Sequence, residues 1–176
     1  MDLTLLQKAP FFKGLSISII EDLFSGIHIQ QKKFKPGSMV AQSGELISGL
    51  MIVLSGTVKG EMIDYTGKVI KIEDIQAPGA LASAFIFGST NRFPVNVVSV
   101  SASEIMIIEK SDFLCLLMKN DTLLLNYLNM ISNRSQFLSE KIKFLNFKTI
   151  IVKLAKYLLQ LSDEKNDNCK FDKTHN

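Results

Sequence analysis

The chain has 176 residues, 47% of them apolar and 21% charged, which fits one globular domain with an appendage and excludes general disorder. No apolar run reaches the roughly 18 residues of a membrane-spanning helix. The N-terminus carries Asp2 where a secretory signal would carry positive charge. We therefore expect a cytoplasmic protein that does not associate with a membrane.

Histidine and cysteine are too scarce for most metal sites and hydrolytic sites. The chain has two cysteines, Cys115 and Cys169, and two histidines, His28 and His175. A disulfide framework needs more cysteines, and a zinc hydrolase or a Ser-His-Asp enzyme relies on histidines, which this chain barely has. We expect no enzyme. The net charge is +3 with only two arginines, so no dense basic patch indicates direct nucleic-acid binding.

The first 28 residues are predicted to form short helices. Leu3, Leu5 and Leu6 precede a break at Pro10. Ser16 then stands where a helix N-cap belongs, before apolar residues at helical spacing.

Residues from Gln30 to Glu109 have the sequence pattern of β-strands. Short β-rich runs are separated by five turn pairs: Pro36-Gly37, Ser43-Gly44, Ser55-Gly56, Thr66-Gly67 and Pro78-Gly79. Two further strands are predicted at Val95–Val100 and Glu104–Ile108. This even spacing indicates an antiparallel barrel or sandwich, and the lack of intervening helices disfavours a parallel α/β sheet.

After Lys110 the apolar period becomes helical. A short helix begins near Ser111, and a long one without Gly or Pro is predicted from about Asp121 to Phe144. Its a and d heptad positions are Leu124, Leu128, Ile131, Ser135, Leu138, Ile142 and Leu145. Such a seam predicts a homodimer, and the alternative is a helix packed only against its own barrel. A second helix, Thr149 to Leu161, is predicted before a polar linker.

The order of these motifs resembles the sensor half of the Crp/Fnr family, the bacterial regulators related to the cyclic-AMP receptor and the fumarate–nitrate-reductase regulator. The matching stretches are Leu6–Leu15, Phe34–Gly37, Ser43–Glu45, Ile52–Val58, Ala77–Ala82 and Ser139–Ile142. The resemblance implies a mainly β fold with flanking helices. It would be a cyclic-nucleotide-binding-like β-roll (a double-stranded β-helix or jelly roll) followed by a long dimerisation helix.

The resemblance also implies a domain plan and a partner. Residues 1–120 would form the effector-sensing β-roll, 121–146 the dimerisation helix, and 147–176 a hinge helix with the start of a linker. In the family, that linker leads to a helix-turn-helix that binds promoter DNA. The sequence stops before such a domain, so we expect a piece of a longer regulator that reaches DNA only through the absent part.

The nucleotide-binding members of the family hold cyclic AMP in a phosphate cassette, with a glutamate for the ribose hydroxyl and an arginine for the phosphate. The matching positions here are Ala80, within Gly79-Ala80-Leu81, and Phe93. Arg92 lies one residue earlier, on the opposite strand face unless the register shifts. Because a buried phosphate needs a charge-assisted partner, we expect no cyclic-AMP binding.

The altered cassette predicts an apolar effector pocket. Its residues are Gly79, Ala80, Leu81, Phe85, Phe87, Arg92, Phe93, Pro94, Val95, Leu138 and Ser139. The stretches Phe85–Gly88, Asn91–Val95 and Asn133–Ser139 resemble the subgroup that senses nitric oxide and nitrosative stress through haem. That resemblance implies haem as cofactor, with His28 as a candidate axial ligand, and the cysteine count excludes a four-cysteine iron–sulfur cluster. The alternative is a pocket filled with core, leaving a ligand-free dimeriser.

Two other functions compete with a transcription regulator. One is a cyclic-nucleotide-type regulatory domain of another effector protein, such as a kinase or a channel. The long heptad helix favours the transcription regulator, because in those effector domains that helix is usually a short lid. The other is a barrel enzyme, which the scarcity of histidine opposes.

Overall fold

The computed structural model describes residues 3–145 and residue 158. The chain divides into two compact units, residues 1–132 and 133–176, and each is described by itself. The predicted hinge helix, Thr149 to Leu161, and the linker lie outside the described residues, apart from Leu158. The predicted domain bounds therefore stay a prediction.

The N-terminal residues form short helices, as predicted. These are α1 (Leu3–Gln7), a 3₁₀ turn (Pro10–Phe12) and α2 (Ile17–Phe24). The hydroxyl of Ser16 accepts a hydrogen bond of 3.3 Å from the backbone N–H of Ile19, which confirms Ser16 as the N-cap of α2.

Eight strands follow and form two four-stranded antiparallel sheets. They are β1 (Ile29–Phe34), β2 (Met39–Ala41), β3 (Gly49–Ser55), β4 (Thr57–Ile63), β5 (Val69–Gln76), β6 (Ala80–Leu81), β7 (Asn96–Ser99) and β8 (Ser103–Glu109). One sheet has the order β1-β8-β3-β6 and the other β2-β7-β4-β5. The predicted mainly β fold, a β-roll with flanking helices, is confirmed.

The core lies along β3 and β8, which run antiparallel in the middle of their sheet. Both strands are buried over nearly their whole length, so each is apolar on both faces. Gly49 starts β3 so close to β8 that a Cβ there would overlap the carbonyl oxygen of Ile108. Glycine is therefore the residue that allows these two central strands to approach.

The β4–β5 connection is a tight hairpin organised by one carboxylate. Asp64 accepts hydrogen bonds from the backbone N–H of Thr66 at 2.8 Å, its hydroxyl at 2.6 Å and the N–H of Lys68 at 3.0 Å. These bonds, the Thr66 hydroxyl foremost, lower the pKa of Asp64. Gly67 adopts a φ of 84°, the left-handed conformation expected of the predicted Thr66-Gly67 turn.

Two helices follow the last strand, α3 (Lys110–Lys119) and α4 (Asp121–Leu145). The side-chain carbonyl of Asn120 accepts a hydrogen bond of 2.9 Å from the N–H of Leu123 and so begins α4. The long helix predicted from the sequence is thereby confirmed. None of the helices among the described residues has the length and hydropathy of a membrane span.

The first part of α4 packs on the β-roll through a face that the heptad analysis did not include. Leu123 and Tyr127 are buried in the core. The amide of Asn126 donates to the carbonyl oxygens of Phe11 at 3.0 Å and Lys13 at 2.8 Å. This face fixes the part of α4 up to Ser132 to its own β-roll.

The heptad positions lie on a different face of α4, which we call the α4 seam. Its described side chains are Leu124, Leu128, Ile131, Ser135, Leu138 and Ile142, and all but Ile131 are exposed to solvent. Ile131 is partly buried against the core. Leu145 is the last residue of the helix. An exposed stripe of leucine and isoleucine is typical of a helix with a partner.

Candidate functional site

The first cassette segment is the short strand β6. Ala80 and Leu81 pair with Ile52 and Met51 of β3, and Leu81 is fully buried. The carbonyl oxygen of Gly79 accepts a hydrogen bond of 2.9 Å from the N–H of Val53. Ala80, at the position of the nucleotide-binding glutamate, is only half-buried and offers a methyl group. No acceptor for a ribose hydroxyl exists on that side chain.

The second cassette position carries a core side chain. Phe93 is 4% exposed and belongs to the main hydrophobic core together with Leu81 and Ile86. Its backbone N–H donates to the carbonyl oxygen of Glu45, and its carbonyl oxygen accepts from Gly44, both at 2.9 Å. Both backbone bonds thus hold Phe93 to the segment at Gly44 and Glu45, while its side chain is buried in the core. An aromatic ring fills the place that the resemblance assigns to a phosphate-binding arginine.

Arg92 lies on the other side of the chain from Phe93. It is exposed, and its Nη1 donates a hydrogen bond of 2.7 Å to the carbonyl oxygen of Gly44. The backbone of Arg92 also forms an isolated antiparallel bridge with Leu46. The guanidinium therefore contacts a neighbouring loop on the exposed side, and the buried side chain of this pair is that of Phe93.

The next two predicted pocket residues differ in burial. Pro94 is exposed, and its carbonyl oxygen accepts a 3.4 Å hydrogen bond from the Ser43 hydroxyl. Val95 is half-buried beside Gly60. A Cβ added to Gly60 would lie 3.3 Å from the Cγ2 of Val95. Only Val95 of this pair faces the β-roll.

The segment after β6 forms a 3₁₀ turn (Ser83–Phe85) and ends in an aromatic cluster. The ring of Phe87 stacks on Phe113 of α3 at 5.8 Å and meets Tyr127 of α4 edge-on at 5.8 Å. Lys110 places its Nζ 5.4 Å from the Phe87 centroid. Phe85 and Phe87 are both 39% exposed, so they lie at the rim of the core rather than inside it.

Tyr127 joins this cluster to the 3₁₀ turn. Its hydroxyl donates a hydrogen bond of 3.0 Å to the carbonyl oxygen of Ser83, and burial raises the pKa of Tyr127 to about 12. Sequence analysis did not single out Tyr127. The available signal was its position four residues after Leu123, which puts both residues on one face of α4.

Leu138 and Ser139, predicted to complete the pocket, belong to the second unit. Both side chains are exposed. Their part in an effector pocket stays a prediction.

The structure places the candidate haem ligand His28 far from the cassette. His28 is exposed and immediately precedes β1, whereas Ala80 lies in β6 at the opposite edge of the same sheet. Three strand spacings, about 14 Å in total, separate these edges. This geometry argues against His28 as an axial ligand of a group held at the cassette. Among the described residues, no three His, Cys, Asp or Glu side chains cluster as a metal site.

A sulfur atom does lie beside the cassette segment. The Sδ of Met130, on α4, is 3.9 Å from the hydroxyl of Ser83, and its side chain is partly buried against the core. Met130 therefore offers a soft donor near the 3₁₀ turn.

A surface depression of about 390 Å³ lies on the other sheet and involves none of the predicted pocket residues. It is lined by Gly37, Thr57, Lys59, Lys71, Asp74, Val98, Ser99 and Val100. Both lysines are engaged in ion pairs, Lys59 with Glu61 at 2.8 Å and Lys71 with Asp74 at 2.9 Å. Each lysine of the lining is thus paired with a carboxylate, Asp74 inside the lining and Glu61 outside it.

Comparison with known proteins identifies the family. A model of the cyclic nucleotide-binding domain matches residues 31–120. The chain belongs to the cyclic nucleotide-binding domain family. A transcriptional regulator from Thermotoga maritima is 38% identical, with a TM-score of 0.66, over 73% of this chain and 98% of that one. The predicted resemblance to Crp/Fnr-type transcription regulators is confirmed. By sequence, no curated protein matches the chain.

More distant members of this fold support the same architecture. The catabolite activator protein of Thermus thermophilus is 18% identical, with a TM-score of 0.70, over 78% of this chain and 63% of that one. The sensor domain of the regulator DNR from Pseudomonas aeruginosa is 23% identical, with a TM-score of 0.65, over 84% of this chain and 93% of that one. At these identities the likeness concerns the fold alone.

Proposed function

We propose that this chain is the sensory and dimerising half of a Crp/Fnr-type transcription regulator whose cassette does not accept cyclic AMP. The observation that carries the proposal is Phe93, a core ring held by backbone hydrogen bonds where a phosphate-binding arginine is expected. The full regulator would act as a homodimer through the α4 seam. It would bind promoter DNA through a helix-turn-helix outside this chain.

The exclusion of cyclic AMP follows from two lost interactions. Each hydrogen bond to a charged group contributes about 1.5–3 kcal/mol, and the phosphate and the ribose each lose one. A phosphate buried against Phe93 would also lose its hydration without gaining a counter-charge. We expect no substitute from Arg92, whose guanidinium donates to the carbonyl oxygen of Gly44 on the exposed side.

Titration calorimetry with cyclic AMP tests this exclusion. We expect no saturable heat up to millimolar nucleotide. The regulatory domain of the Toxoplasma gondii protein kinase, which has been crystallised with cyclic AMP, is the positive control. A micromolar dissociation constant for the present chain would refute the proposed change of ligand.

Haem is the specific effector that we propose, and it would make the regulator a sensor of nitric oxide or nitrosative stress. An aromatic rim at Phe85 and Phe87 and the thioether of Met130 support it. His28 does not fit as its ligand, since it is exposed at the far edge of the sheet. Haem bound here would supply an iron centre able to take a diatomic gas, while this chain would provide the apolar rim and the sulfur donor.

Haem titration followed by absorption spectroscopy separates this candidate from a ligand-free dimeriser. If haem binds at the cassette, a saturable Soret band appears in the wild type and in His28→Ala, but is shifted or lost in Met130→Leu. Met62→Leu, which alters an exposed methionine on β4, is the matched control. No saturable band in the wild type would favour the ligand-free dimeriser, and loss in His28→Ala would refute the cassette location.

A regulatory domain of a non-transcriptional effector protein is the alternative to the transcription regulator. The gene sequence beyond codon 176 distinguishes the two. A helix-turn-helix there supports the regulator, whereas a kinase or channel domain would refute it.

A further inference from the structure

We propose that Tyr127 is the positioning residue that couples the cassette segment Ser83–Phe87 to helix α4, so that a change of shape in the segment reaches the helix through this side chain, beside the longer contact of Ser83 with Met130. The inference rests on the proposed function, because it names the route by which an occupied cassette would act on the dimerisation helix. It concerns only the unit formed by residues 1–132.

Tyr127 contacts both ends of the segment. Its hydroxyl donates to the carbonyl oxygen of Ser83 at 3.0 Å, and its ring meets Phe87 edge-on with the centroids 5.8 Å apart. The acceptor is a backbone atom, so the geometry of this hydrogen bond depends on the position of the segment's main chain. A displacement of the segment by a fraction of an ångström must stretch this bond or move the tyrosine.

The hydrogen bond is sheltered from solvent. Tyr127 is 4% exposed, so water does not readily replace the Ser83 carbonyl as its partner. Three rings enclose it, since Phe11 and Phe113 pack against it edge-on at 6.2 and 5.2 Å in addition to Phe87. A side chain packed on this many sides cannot swing away without moving α4.

The residue just before the segment has a strained backbone. Ala82 has a φ of 45°, a left-handed conformation that a residue with a Cβ adopts at a cost of about 1–2 kcal/mol. It immediately precedes the 3₁₀ turn that contains Ser83. Such strain persists where the surroundings hold the chain in place, and the Tyr127 bond is one such restraint. Ala82→Gly therefore relieves this strain and offers a way to stabilise the segment without touching α4.

A second residue of α4 provides a control for the coupling. Asn126 also fastens the helix, but to Phe11 and Lys13 in the N-terminal segment instead of the cassette. Removing it weakens the attachment of α4 by two hydrogen bonds. It should leave the route through Ser83 intact.

A mutant cycle read by amide hydrogen exchange tests the inference without any ligand. Because glycine adopts this positive φ without strain, Ala82→Gly should lower exchange both in residues 83–87 and in residues 121–132 of α4. In the Tyr127→Phe background, the same change should still lower exchange in 83–87, while its effect on 121–132 falls at least about threefold. In the Asn126→Ala background, the effect of Ala82→Gly on 121–132 should be retained.

The outcomes distinguish coupling through Tyr127 from a general change in the stability of α4. Equal transmission in the wild-type and Tyr127→Phe backgrounds would overturn the inference. Loss of transmission in both the Tyr127→Phe and the Asn126→Ala backgrounds would also overturn it, because then general packing of α4 carries the effect. Light scattering on the same samples tests dimerisation separately, so a monomeric wild type would refute the dimer while leaving the exchange cycle readable.

Discussion

The guanidinium of Arg92 donates a 2.7 Å hydrogen bond to the carbonyl oxygen of Gly44 on the exposed side of the chain, while the following residue is buried in the core. Arg92 thus lies at the surface, whereas its neighbour Phe93 lies in the core. Arg92 fastens a surface loop, and the position that the resemblance assigns to a phosphate-binding arginine carries the ring of Phe93.

Substitutions of Arg92 and of Phe93 should lower the free energy of unfolding by very different amounts. Arg92→Ala removes one exposed hydrogen bond and should lower the free energy of unfolding by about 0.5–1.5 kcal/mol. Phe93→Ala leaves a cavity in the core and should cost about 3–5 kcal/mol. Urea denaturation at neutral pH measures both. Equal losses would mean that the ring is not part of the core.

Gly49 should tolerate no side chain. A Cβ at this position would overlap the carbonyl oxygen of Ile108 in the neighbouring strand, so Gly49→Ala must push β3 and β8 apart. We expect a loss of about 1–3 kcal/mol or more in the free energy of unfolding.

Gly26→Ala is the matched control for this prediction. Gly26 has a φ of 87°, but a Cβ at this position would meet no atom within 4 Å, so the substitution costs only the backbone strain of about 1 kcal/mol. Thermal or urea unfolding of the two variants gives the comparison. A smaller loss at Gly49 than at Gly26 would contradict the close approach of the two strands.

Much of the fold follows from the spacing of turns in the sequence. Four of the five predicted turn pairs end in a glycine with positive φ, namely Gly37, Gly44, Gly56 and Gly67. Glycine is favoured there because other residues are strained. The last two strands and the start of α4 also lie where the apolar period predicts them.

The candidate site was harder to predict because it depends on which of two apolar faces of α4 packs on the β-roll. The heptad pattern emphasised the face with Leu124 and Leu128, whereas Leu123 and Tyr127 form the packed face. A one-residue offset separates the two patterns, and periodicity alone does not rank them. Contacts such as Tyr127 with Ser83 join residues far apart in sequence, so only the fold brings them together.

Tyr127 should make stability depend on pH in the alkaline range. Burial raises its pKa to about 12 in the folded state, above the usual value of 10.0. The folded state therefore holds the proton at pH values where the unfolded state has lost it. Stability from this group is complete below about pH 10 and falls as the pH rises toward 12.

The Tyr127→Phe variant isolates this effect. Between pH 9 and pH 11 the wild type should lose about 1 kcal/mol more than Tyr127→Phe in urea unfolding, since one pKa unit corresponds to about 1.4 kcal/mol. Tyr65→Phe alters a fully exposed tyrosine and should behave as the wild type. An identical pH response in all three proteins would show that the hydroxyl of Tyr127 is accessible to water.

The α4 seam should hold two copies of the chain together. Leu124, Leu128, Leu138 and Ile142 are each more than a third exposed along one stripe of the helix. Burial of each on a partner would contribute roughly 1.5–3 kcal/mol before the cost of association. Ser135 is the polar residue in the middle of this stripe and would set the register of the pair.

Light scattering at micromolar concentration tests the seam with Leu128→Asp combined with Leu138→Asp. Both residues are exposed in the single chain, so the two charges should dissociate the dimer while leaving the β-roll folded, as circular dichroism would verify. Asn129→Asp combined with Gln136→Asp adds the same charge on a different face of α4 and should leave the dimer intact. Ile131 is unsuitable for this test, because it is partly buried against its own core. A monomeric wild type would refute the seam, and a dimer that survives both seam aspartates would assign the contact to another surface.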